Sequence, residues 1–143
     1  MSDITLEQAQ RIIVVALEKA AAAKLLPLAI TVLDARGAIR AMVSQDGTSL
    51  KRGEIALGKA RGALALGQGS RTLFRRVKEQ PYFIAAVGQL GELIPVPGGV
   101  LIRDAARRVI GAVGVSGDTS DNDETCAMAG IHAVGLSADP GED

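Results

Sequence analysis

The stretch GAVGVSGDTSDNDE, residues 111–124, runs small and β-branched residues together and then breaks at Ser116-Gly117 into a cluster of acids. From Val109 to Ser116 the composition suits a strand in the middle of a sheet, where glycine, alanine and valine let helices approach closely. The acids that follow mark a helix start near Asp121. Ser120 with Asp123, or Asp121 with Glu124, supplies an acceptor for the free N–H groups of a first turn, and negative charge suits the positive end of the helix dipole.

Working outward, PVPGGVLI (95–102) leads into another strand, and Asp104 to Arg108 turns it back into 109–116. Upstream, LAITVL (28–33) and AIRAMVS (38–44) flank Asp34-Ala35-Arg36-Gly37, which reads as a β-hairpin with Gly37 free to take positive φ. Thr5-Leu6-Glu7-Gln8 has the form of a capping box. The helix it opens carries Ala9, Ile12, Ile13, Ala16, Leu17 and Ala20 on one stripe, to about Lys24. A second helix is expected from about Leu50 to Leu66. Its Gly58 and Gly62 each cost roughly 1 kcal/mol against alanine, which close packing against a neighbouring backbone offsets. SRTLFRRV (70–77) reads as a short helix, and Gln80-Pro81 opens an irregular stretch containing Tyr82 and Phe83.

The order is helix, two strands, one or two helices, two or more strands, helix. Hairpin connections imply a central antiparallel sheet flanked by helices, an α+β fold. At 143 residues the chain reads as one domain, 1–143, with neither an internal repeat nor a low-complexity linker. Sixteen basic and sixteen acidic residues balance, so no global field draws it to nucleic acid or an anionic membrane. No apolar run approaches the roughly 18 residues a bilayer span needs. The lone cysteine, Cys126, has no intrachain partner, and the start of the chain lacks a signal-peptide pattern, so a cytoplasmic location is expected. Aromatics are 2% of residues, which leaves the core to Ala, Val, Leu and Ile.

PGGVLIRDAARRVIGAVGVSGDTSDNDETCAMAG (97–130) resembles the GlcG/HbpS-like family, also called DUF336 and found as the C-terminal domain of PduO-type proteins. The matching elements are Gly98-Gly99-Val100-Leu101-Ile102, Gly111 to Gly117, and Asp123-Glu124. AITVLDARGAIRAMVSQDG (29–47) and IALGKARGALAL (55–66) are similar to the family's hairpin and second helix, so the likeness runs from about residue 5 to 136. It implies a profilin-like α/β/α arrangement, homo-oligomers, and a small-molecule ligand. Some members bind haem, often through a histidine near the N-terminal helix. Here no histidine precedes His132, Leu101 stands where the family has proline, and Ser44-Gln45 replaces a frequent Arg-Met. Haem is thus an expectation inherited from the family, without a visible axial ligand.

Several residues are candidates for a site, each with a plainer alternative. Lys59 lies on the apolar side of the second helix with Ile55, Ala56 and Ala63. It either snorkels to solvent or pairs with Asp46 or Glu54, or it holds a ligand carboxylate or haem propionate. Arg61, two residues on, points about 200° away and shares no pocket with it by geometry alone. Gly98-Gly99 either sets a bend or offers two backbone N–H groups to a ligand. Ser116, Asp123 and Glu124 sit where strand passes into helix. The acids either cap that helix or move protons, with Asp46 as a further acid, although no neighbouring histidine completes a triad. His132 has Met128 and Leu136 as helical neighbours and reads as a surface or structural residue unless it ligates iron. Cys126 reads as a small buried hydrophobe, and no metal-ligand spacing is present.

Two functions follow: a binding protein for haem or another planar or carboxylated molecule, or a cofactor-independent lyase or isomerase acting on a small acid. In the second, Lys59 and the Gly98-Gly99 amides hold the acid while Asp46, Asp123 or Glu124 transfers protons. A folded, oligomeric partner protein with no small ligand is the third reading.

Overall fold

Strand β4 (Val109–Ser116) is the centre of the molecule. In the computed structural model, which describes residues 3–143, every position from Ile110 to Ser116 is buried. β4 pairs antiparallel with β1 (Ala29–Asp34) on one side and β3 (Gly99–Arg103) on the other. β2 (Ile39–Ser44) extends the sheet beyond β1, and β5 (Ser137–Asp139) extends it beyond β3, giving the order β2-β1-β4-β3-β5. All pairings are antiparallel.

Alternation along these strands sorts side chains to two faces. Ile30, Val32, Val100, Ile102, Val113 and Val115 join the core under α1 (Leu6–Ala22) and α5 (Ser120–Ala133). Leu33, Leu101 and Ala112 face α2 (Arg52–Leu66) with its Ala60 and Ala63. On that side a Cβ added at Gly114 would collide with the Ala56 carbonyl oxygen, so the helix backbone lies directly on the strand. Gly58 and Gly62, both buried, receive Ile94 and Leu93, so the close packing expected of them is present, made chiefly by side chains rather than by a neighbouring backbone. The capping box at the start of α1 forms as read. Thr5 Oγ1 accepts from the Gln8 amide at 3.1 Å, and Gln8 Oε1 accepts from the Thr5 amide at 3.0 Å.

Three local expectations are corrected. The stretch after Gln80 is a helix, α4 (Pro81–Gly88), packed against α3 (Ser70–Glu79). Pro81 starts it because its missing N–H is one the first turn leaves unpaired anyway. β5 was not foreseen; at three residues it shows no alternation to read. The cap of α5 is Thr119, whose side chain accepts from the Asn122 amide at 3.2 Å, while Ser120 is already helical and Asp123 turns inward. Among the described residues no helix is long and apolar enough to cross a membrane.

Candidate functional site

At the C-terminal end of β4 the chain passes over the sheet and enters α5, and here α2 and α5 are joined by a buried charge pair. Lys59 and Asp123 are 2% and 1% exposed, with Nζ 3.2 Å from Oδ2. Nζ also donates to the Val115 carbonyl at 2.9 Å, and the other Asp123 oxygen accepts from the Asp118 amide at 3.0 Å. Burial pulls the Lys59 pKa below its ordinary value and pushes that of Asp123 above it, each opposed by the partner's charge. This answers the question of Lys59. Its helical position aims it at the end of the sheet, neither at solvent nor at Asp46 or Glu54, and Glu54 pairs instead with Lys51 at 3.1 Å.

Gly98 and Gly99 close over the same pair. A Cβ at Gly98, whose φ is +124°, would stand 2.7 Å from the Val115 oxygen and 2.8 Å from Lys59 Nζ. The Gly99 amide is already used, donating to the buried Ser70 Oγ at 2.7 Å. Ser116 Oγ, also buried, accepts from Arg52 at 3.3 Å. Lys59, Asp123, Gly98, Gly99 and Ser116 are thus brought to one end of the sheet as an interior polar cluster.

A cleft of about 500 Å³ opens beside it. Its walls are one to four positions along the chain from the buried groups: Arg71 follows Ser70, Pro97 precedes Gly98, and Thr119 to Asp121 lead to Asp123. Arg71 is the central cation. Its Nε meets Glu124 at 3.0 Å, Nη1 meets Asp143 at 2.8 Å, and Nη2 bonds Asp121. Hydrogen bonds that it donates to Glu124, then to Asp143 and Asp121, raise the pKa of this guanidinium further above its ordinary value. Phe74 forms an apolar wall with Lys78 Nζ 4.5 Å from its ring centre. Glu124 belongs to this cleft through Arg71. Arg71 itself is absent from the sequence-derived candidates, although Arg71, Arg75 and Lys78 follow the i, i+4, i+7 spacing of one helix face.

The remaining candidates lie elsewhere. Arg61 bonds Glu92 at 2.6 Å and the Gly37 carbonyl at 3.2 Å, in a separate cleft against the β1–β2 hairpin. Asp46 is exposed in the turn after β2, beside Pro27 and Gln45. His132 is exposed near the C-terminal end of α5. Cys126 is 1% exposed, and burial pushes its thiol pKa up to about 11.

The chain belongs to the HbpS-like family: the model described as haem degrading protein HbpS-like matches residues 4–132. A search of the curated proteins finds no match. Among solved structures it is similar to Klebsiella pneumoniae protein ORFY of family DUF336, at 27% identity and a TM-score of 0.83, over 94% of this chain and 93% of that one. It is also similar to PduOC, determined as a haem complex, at 22% identity and a TM-score of 0.85, over 95% and 98% of the two chains. HbpS itself aligns at 24% identity with a TM-score of 0.83, over 94% and 92%. The α+β fold, among the described residues five helices about one five-stranded antiparallel sheet, is that of these relatives.

Proposed function

We propose that this HbpS-like protein binds a small carboxylated organic molecule in the cleft over Arg71. The observation that carries the reading is the Arg71 guanidinium itself, 20% exposed, set between an apolar wall and the first turn of α5 and already gripping carboxylates. Its planar fork suits a carboxylate, and partial burial strengthens the charge-assisted bonds. Of the three acids read as proton-transfer groups, Asp123 is engaged with Lys59, Glu124 with Arg71, and Asp46 is exposed in the turn after β2, outside the cleft. Binding is therefore favoured over lyase or isomerase chemistry. In this reading Lys59 and Asp123 hold the first turn of α5 in place, Gly98 and Gly99 let the strand close over them, and none of the four touches the ligand.

Haem is one member of the ligand class, consistent with the family description and with the haem complex of PduOC. Arg71 and Lys78 fit its propionates. The cleft does not fit its iron: customary axial donors are His, Cys, Met and Tyr, and none lines it. His132 lies eleven residues beyond Asp121, about 16 Å along α5. Self-association belongs to the same proposal, with Ile39 and Met42 exposed on the edge strand β2 and Tyr82 exposed on the uncharged α4; sedimentation velocity tests it.

Parallel titrations with haemin and metal-free protoporphyrin IX, read by absorbance and fluorescence, test the ligand class. Similar affinities for both, each weakened about tenfold or more by Arg71→Ala, are expected from loss of a charged hydrogen-bonding group. Absence of binding by either, or a haemin-only Soret shift abolished by His132→Ala, overturns the reading.

A further inference from the structure

The cleft is not empty of carboxylates. The segment after β5 crosses the start of α3 and is fastened there by backbone contacts: the Arg71 amide donates to the Pro140 carbonyl at 3.1 Å, and the Glu142 amide donates to Thr72 Oγ1 at 2.8 Å. Gly69 permits this seat, since a Cβ there would collide with the Pro140–Gly141 peptide. Beyond the anchor, Asp143 reaches into the cleft and bonds Arg71 Nη1, while its backbone carbonyl accepts from Arg75 at 3.3 Å.

We propose that residues 140–143 are a built-in competitor for the cleft, with the Asp143 carboxylate holding the position on Arg71 that a ligand carboxylate takes. The inference rests on the ligand reading above and adds a regulation to it. Of the three acids on Arg71, Glu124 is 12% exposed and pins the Nε edge from beneath, and Asp121 is fixed in the first turn of α5. Asp143 is 83% exposed, follows no regular element, and is the one that can leave without disturbing a helix. Around the cleft two cations, Arg71 and Lys78, face three acids, Asp121, Glu124 and Asp143. With Asp143 lifted, Arg71 and Lys78 balance Asp121 and Glu124, so the excess negative charge that opposes a ligand carboxylate is gone. A solvent-exposed ion pair is a weak lock, so the competitor lowers apparent affinity without closing the cleft.

The test is binding of protoporphyrin IX to the full chain and to Asp143→Asn, with Glu142→Gln as a control that removes the same charge one residue away without touching Arg71. Asp143→Asn is expected to tighten binding about two- to fivefold, the range an exposed pair supplies, and Glu142→Gln to leave it unchanged. The Asp143 amide resonance, read by NMR, is expected to shift at saturation as its carboxylate leaves Arg71, while the Glu142 amide, anchored on Thr72, stays protected from exchange. If wild type binds and Arg71→Ala weakens it, while Asp143→Asn matches wild type or the Asp143 amide resonance does not move, the competitor is overturned and the ligand reading stands. If neither wild type nor Asp143→Asn binds, both fall.

Discussion

Replacing Asp123 with asparagine tests the buried pair that joins α2 to α5. Asparagine keeps an acceptor for the Asp118 amide, so the change isolates the counter-charge of Lys59, an ammonium 2% exposed whose remaining bond is to the Val115 carbonyl. Leaving one buried charge without its partner costs about 3–5 kcal/mol, or roughly 10–15 °C in Tm for a chain of this size. Lys59→Met is expected to cost about as much, because it strands the carboxylate. The double variant buries no charge and is expected to cost less than the two changes summed, a coupling of about 2–3 kcal/mol. Urea unfolding followed by far-UV circular dichroism is the assay, since the chain has no tryptophan and one tyrosine. The pH dependence supplies a second reading. Burial already lowers the Lys59 pKa from 10.5, and loss of Asp123 removes the opposing charge. The folded variant then binds fewer protons than its unfolded chain, so its stability rises with pH toward 10.5, as the unfolded lysine gives up its proton. A cost under about 1 kcal/mol for Asp123→Asn, or strict additivity in the double variant, refutes the account.

Gly114→Ala pushes a methyl group into the Ala56 carbonyl and is expected to destabilise by about 1–3 kcal/mol through displacement of α2, measured by the same urea unfolding. Gly88→Ala, where an added Cβ meets nothing, is the control for glycine chemistry alone. Burial by itself would raise the pKa of Asp34, but the Ala38 and Arg36 amides and the Arg36 guanidinium outweigh it and hold the carboxyl below its ordinary 3.8. A depressed pKa contributes stability above the unfolded value and loses it as pH falls through the folded one. Wild type is therefore expected to weaken in acid below about pH 4 more steeply than Asp34→Asn, as measured by Tm against pH.

Much of the architecture was legible because it is local. Thr5 and Gln8 lie one turn apart, the stripe of α1 repeats every three or four residues, and the strand 109–116 announced by Gly, Ala and Val is β4 as read. Close approach at Gly58 and Gly62 was legible too, because only packing compensates two glycines inside a helix. What failed was local structure with no distinctive pattern: α4 hid behind a proline that reads equally as a break or a start, and β5 is too short to alternate. The α5 cap was misplaced for a different reason. Asp123 satisfies a sequence rule for capping, but tertiary structure gives it Lys59, 64 residues away, and Thr119 takes the cap instead.

By itself, then, the sequence determined the α+β class, the central strand, and the small-residue surfaces that bring α2 onto the sheet. It also determined which residues are available for chemistry. Tertiary structure alone decided that Lys59 is interior and paired, that the Gly99 amide is spent on Ser70, and that Arg71 rather than Arg61 stands in a cleft with acids from α5 and from Asp143. The physical reason is range. Backbone propensities and caps depend on neighbours within a turn or two, whereas desolvation, charge pairing and the walls of a cleft depend on segments joined only when the sheet closes.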